Sequence, residues 1–156
     1  MSFQIHGLPE GAFQHYFGMT DAELAQIGAE RQVVREYPGS PCRVSLEDAR
    51  VGEEVVLFNY EHQPAPTPYR ASHAIFVRKG VVQAQLDVGE VPEVLASRFL
   101  SLRGFDHGGI LRVADVCDGR TVAPALEEML AQDGVDYIHV HNAKQGCFAA
   151  KVAAMA

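Results

Sequence analysis

The sharpest alternation of apolar and polar positions lies near the end of the chain. In "VDYIHVHN", Ile138 and Val140 fall on one face of a strand, and Val135, Tyr137, His139 and His141 on the other. "CFAAKV" continues as a second strand, with Phe148, Ala150 and Val152 on one face and Cys147, Ala149 and Lys151 on the other. The two runs are expected to pair as a C-terminal hairpin. Setting Asn142 opposite Gly146 leaves an Ala-Lys-Gln loop, gives Gly146 the positive-φ place of a bulge, and opposes His141 to Cys147, His139 to Ala149 and Val140 to Phe148. Setting Asn142 opposite Cys147 instead places apolar residues against the wrong neighbours.

Upstream, "FQIHGL" reads as a short strand, and "TDAELAQIG" as a short helix opened by a capping box of Thr20 and Glu23. "RQVVREY" is a strand stopped by "PGSP". "CRVSL" resumes it, with Cys42, Val44 and Leu46 on the core side and Arg43 and Ser45 pointing away. "VVLFNYEH" is apolar on both faces, as in a central strand, and at its polar end Tyr60 and His62 share a face. The proline-rich "QPAPTPYRASH" is expected to form a stiff wall beside that mouth.

"AIFVRKGVVQAQL" predicts a hairpin about Lys79 and Gly80, opposing Val77 to Val82 and Ile75 to Ala84. Two more helices are expected. In "VPEVLASRFLSLRG", Pro92 sits in the first turn; "TVAPALEEMLAQDG" puts Val122, Leu126, Met129 and Leu130 on one side and stops at Gly134. A strand from Ile110 to Val116 follows the Asp-His-Gly-Gly turn. Strands and helices do not alternate regularly. The expected class is therefore α+β, a mostly antiparallel twisted sheet with a C-terminal β-hairpin and about three short helices.

Composition narrows the function classes. The 156 residues fit one domain, and a net charge of −7 without a basic run leaves nucleic-acid binding no source of affinity. The N-terminus lacks the pattern of a signal peptide and no window is apolar enough to span a membrane, so a cytoplasmic protein is expected. Cys42, Cys117 and Cys147 form no CxxC pair and read as reduced thiols.

The chemistry concentrates in the histidine strand. His139 and His141 project to one side, either filling space with their nitrogens satisfied by backbone or flooring a pocket. Paired imidazoles could share a metal, with His62, His107 or Asp106 as a third ligand, but a bare HxH assigns no metal set. A histidine could equally move protons with Tyr60 or Tyr137 as donor. Cys147 beside His141 is a nucleophile or a small buried thiol. Arg70, on the loop after Pro68 and Tyr69, suits a carboxylate or phosphate unless it pairs with Glu61 or Asp87; Arg78, at a turn, reads as solvated.

Cys42 with Arg43, Gly52 with Glu53, Tyr60 and His62, Pro68 to Arg70, Ile75 to Arg78, His139 to Asn142 and Gly146 to Phe148 together resemble a family of small bacterial proteins, domain of unknown function 1203. That resemblance implies a single bacterial domain but no activity, cofactor or partner. The expectation is a protein that binds, or acts on, a small anionic metabolite. His139 and His141 would floor the pocket, Tyr60 and His62 flank it, and Tyr69 and Arg70 wall it, with Arg43, Asn142 and Cys147 as further ligand contacts. The competing expectation is a non-catalytic homodimeric interaction module burying the same strand ends.

Overall fold

In the computed structural model, which describes residues 1–156, the Thr20 hydroxyl accepts from the Glu23 amide and the Glu23 carboxylate from the Thr20 amide. This capping box opens α1, Asp21–Gln26. The chain forms two antiparallel sheets, confirming the α+β class. The larger runs in the order β1 (Ser2–His6), β8 (Phe148–Met155), β7 (Tyr137–Asn142), β5 (Phe99–Phe105) and β6 (Leu111–Asp118). The smaller places β3 (Glu54–Gln63) between β2 (Glu30–Val33) and β4 (Ala71–Arg78).

Two large apolar cores, and a small one of Val34, Ala49 and Val55, follow from the alternation. On one face of the larger sheet, Leu100, Leu102, Ile138, Val140 and Val152 pack under α2 (Glu93–Ala96) and α3 (Val122–Leu130). The expected face of α3, Val122, Leu126, Met129 and Leu130, is buried there. The second core joins Val56, Phe58, Ile75 and Val77 of the smaller sheet to Leu24 and to Phe148 of β8. No helix is long and apolar enough to cross a membrane.

Four local expectations are corrected. After Lys79 and Gly80 no strand returns: β4 pairs with β3, and the segment beyond runs as coil, tied by the Ala84 amide to the Val44 carbonyl. "CRVSL" is not a strand but a turn, with Leu46 at φ 54° and only an isolated bridge from Cys42 to Phe76. "VPEVLASRFLSLRG" is helical only over Glu93–Ala96 and then becomes β5, because the period-2 pattern of Leu100, Leu102 and Gly104 suits a strand between β6 and β7. Arg78 is not solvated; its guanidinium reaches Glu53 and Ser45.

The hairpin register also differs. Beyond the turn, Val140 pairs with Ala150, His139 with Lys151 and Ile138 with Val152, whereas next to the turn His141 pairs with Phe148. Ala149 has no partner, so it is the extra residue of a bulge. Next to the turn this is the register set aside from the sequence, with Asn142 opposite Cys147, and the expected pairs His141–Cys147, Val140–Phe148 and His139–Ala149 do not form. The bulge turns Phe148 onto the histidine face while Ala149 and Ala150 both join the helix-side core. Gly146 does take positive φ, at 79°.

Gly119, directly after β6, packs against the junction of α2 and β5, its amide donating to the Arg98 carbonyl. A Cβ there would lie 2.0 Å from the Leu95 carbonyl oxygen and 2.7 Å from that of Arg98. Gly119→Ala is therefore expected to cost about 3 kcal/mol or more by urea unfolding, because only backbone can yield. Gly134→Ala meets open space and should cost only about 1–2 kcal/mol for its positive φ. Equal losses in the two variants would contradict the packing described.

Candidate functional site

The β7–β8 turn separates two constellations. On one side, β7 aims His139 and His141 at the smaller sheet, where the end of β3 brings His62 against them. The ring centroids of His62 lie 4.8 Å from His141 and 6.1 Å from His139, and the Phe148 ring stacks on His62 at 5.5 Å. One ring nitrogen of each histidine can be chosen so that the three lie within 4.8 Å of one another. All three residues are buried.

Their hydrogen bonding is uneven. His141 Nδ1 donates to the Gly146 carbonyl at 3.0 Å, which leaves Nε2 as the lone-pair nitrogen, 3.5 Å from Arg103 Nη1. The Nδ1 atoms of His62 and His139 are buried without a partner. A cleft of about 480 Å³ opens onto His62 and His139, walled by Tyr60, Gln63, Tyr137, His107 and Lys151. Burial, with Arg103 adding to it, holds His62 at about 4 and His141 at about 3. His139 is held at about 3 by burial and by its histidine neighbours. Burial also raises the Tyr60 phenol.

On the other side of the turn lies a cavity of about 210 Å³ whose lining includes Pro41, Arg43, His73, Arg98, Asn142 and Cys147, with no acidic residue. Arg43, read from the sequence as pointing outward, is 2% exposed. The turn that replaces the expected strand swings its side chain inward. Nε donates to the Phe148 carbonyl at 2.7 Å, Nη1 to the Pro41 carbonyl at 2.5 Å, and Nη2 to Cys147 Sγ at 3.0 Å. Burial lowers the Arg43 guanidinium, and the neighbouring Cys147 sulfur opposes that shift. Asn142 Nδ2 also donates to Sγ, at 3.5 Å, and its Oδ1 is buried without a partner. Arg98 forks onto Asp48 at 2.7 and 3.0 Å.

The sequence candidates thus divide. Tyr60, His62, His139 and His141 gather on one side, and Arg43, Asn142 and Cys147 on the other. Cys147 lies across from Asn142 rather than His141, and its sulfur has Arg43 and Asn142, not a histidine, as hydrogen-bond partners. Arg70 is exposed and pairs with Glu61 at 2.9 Å, and Tyr69 is exposed, so neither lines these two cavities. Asp106 caps its own turn through the amides of Gly108 and Ile110 and binds Arg112, while His107 is exposed. Arg103 was missed because its strand read as helix. Its pairing opposite His139 follows once the alternation in "FLSLRGF" is read as period 2.

Fold and turn together define a class: a small α+β domain in which one hairpin separates a buried histidine cluster from a buried arginine and cysteine. The chain belongs to the family described as protein of unknown function DUF1203, whose model matches residues 39–154. Comparison with curated proteins and with solved structures finds no match.

The three depressed histidines set a pH dependence. Their folded values lie below the unfolded value near ~6.5, so the unfolded chain binds more protons and stability falls as pH drops from about 6.5 towards 4. With nearly three protons taken up on unfolding, the slope near pH 5 is on the order of 4 kcal/mol per pH unit. Urea unfolding in buffer with EDTA should show that loss between pH 6.5 and 5, flattened in His139→Phe. A midpoint constant over this window would contradict it.

Proposed function

We propose that the protein binds a small organic anion, a carboxylate bearing an adjacent hydroxyl or amine, in the cavity between Arg43, Asn142 and Cys147. The observation that carries the reading is Arg43: a guanidinium 2% exposed, with no carboxylate partner. A guanidinium has five N–H donors, and three are used, by Phe148, Pro41 and Cys147. The remaining two favour an anion, whereas Arg98 on the same wall is already paired with Asp48. The unpartnered Asn142 Oδ1 asks for a donor on the same ligand.

Size sets the class. A dry cavity of ~150 Å³ holds benzene, so about 210 Å³ suits a metabolite of a few carbons rather than a nucleotide. A cytoplasmic setting is part of the proposal, because all three cysteines are free and Cys147 is part of the pocket.

The test is a thermal-shift panel of acetate, L-lactate, L-malate, L-serine and inorganic phosphate. A bound acid at about 100 times its Kd stabilises by about 2.7 kcal/mol, raising Tm by about 5–10 °C for a chain of this size. The shift should vanish in Arg43→Met, while Asn142→Ala should erase the preference for lactate over acetate. No shift with any member, or a shift retained in Arg43→Met, would refute the reading.

A further inference from the structure

We propose that His62, His139 and His141 form a binding site for a divalent transition metal of the zinc class, with its remaining position open to the cleft beside Tyr60 and Tyr137. The proposal is independent of the anion pocket, with which it shares no side chain. Its basis is the convergence of three imidazoles from two different sheets on one point, ring nitrogens within 4.8 Å of one another. Zn–N bonds of about 2.0–2.1 Å put tetrahedral donors roughly 3.3 Å apart, so each ring would move inward by less than about 1 Å.

The hydrogen bonding argues against simple space-filling. Histidines that serve as packing satisfy their nitrogens, yet His62 Nδ1 and His139 Nδ1 are buried with no partner. A buried nitrogen without a partner is costly, and one that ligates an ion is no longer unpartnered. His141 has the complementary arrangement. Its Nδ1–H is fixed on the Gly146 carbonyl at 3.0 Å, holding the tautomer whose free Nε2 can ligate. All three rings are neutral near pH 7, as ligation requires.

Two cations bear on the site. Arg103 Nη1 lies 3.5 Å from His141 Nε2 and must give up that contact, and Lys151 pairs opposite His139 with its ammonium over the Tyr137 ring at 4.7 Å. With no acidic residue among the three ligands or in the cleft lining, a bound dication keeps its full charge. Its open position should therefore take an anion, hydroxide or a carboxylate, which would offset part of the positive charge that the ion, Arg103 and Lys151 bring together.

The experiment is a cobalt and zinc titration of tag-free, chelator-treated protein. Stoichiometric binding with the visible absorption of four- or five-coordinate cobalt is expected, weakened at least about 100-fold in His62→Gln and His139→Gln and unchanged in His107→Ala, an exposed histidine of the same cleft. Arg103→Gln should tighten binding by removing a neighbouring cation. Because the buried variants could unfold, histidine ring nitrogen NMR of the wild type localises the ion without them. Among seven histidines, zinc should move those of His62, His139 and His141. No binding tighter than about 10 μM, or shifts confined to His6, His15, His73 and His107, would overturn the proposal.

Discussion

The burial of one guanidinium holds the architecture of this turn in place. Arg43 bonds Pro41, Phe148 and Cys147 through its side chain, while its backbone amide donates to Phe76 and its carbonyl accepts from Leu8. One residue therefore ties the segment after β1, the small sheet and the start of β8. Removing a cation from water costs on the order of several kcal/mol unless hydrogen bonds replace hydration, and here carbonyls and a sulfur replace it without supplying a full negative charge. That imbalance makes the neighbouring cavity receptive to an anion.

The second constraint is the bulge at Ala149. A regular ladder would send Phe148 to the helix-side core with Ala150 and Val152. The extra residue instead turns it between His62, His139 and His141, with its carbonyl on Arg43. Phe148 is thus shared: its ring packs against the histidine cluster and its backbone anchors the arginine. The histidines are consequently sealed from bulk water on one side, which holds their rings neutral.

Much of this was legible from local pattern where local pattern decides. The capping box at Thr20, the buried stripe of α3 and the sharing of one strand face by His139 and His141 depend on spacing alone. The errors fall where a tertiary partner decides. "FLSLRGF" carries enough leucine to read as helix until β6 and β7 supply its ladders. Arg43 reads as outward because strand alternation was assumed across a segment that turns at Leu46. The hairpin register failed because two alternations, offset by one residue, each satisfy half of it, and only a bulge satisfies both. Arg70, prominent in the sequence, lies at the surface in an ion pair with Glu61 that spacing could suggest but not choose, and its neighbour Tyr69 is exposed.

Contact between Arg43 and an anion decides the function of this cavity. Side-chain ¹⁵N NMR of the arginine Nε–H groups, followed while L-lactate and L-malate are added, reads that contact at the atom concerned. A saturable shift of the Arg43 resonance, with exposed Arg70 unmoved, is the predicted result. An Arg43 resonance that stays fixed, or moves no more than that of Arg70, would contradict it.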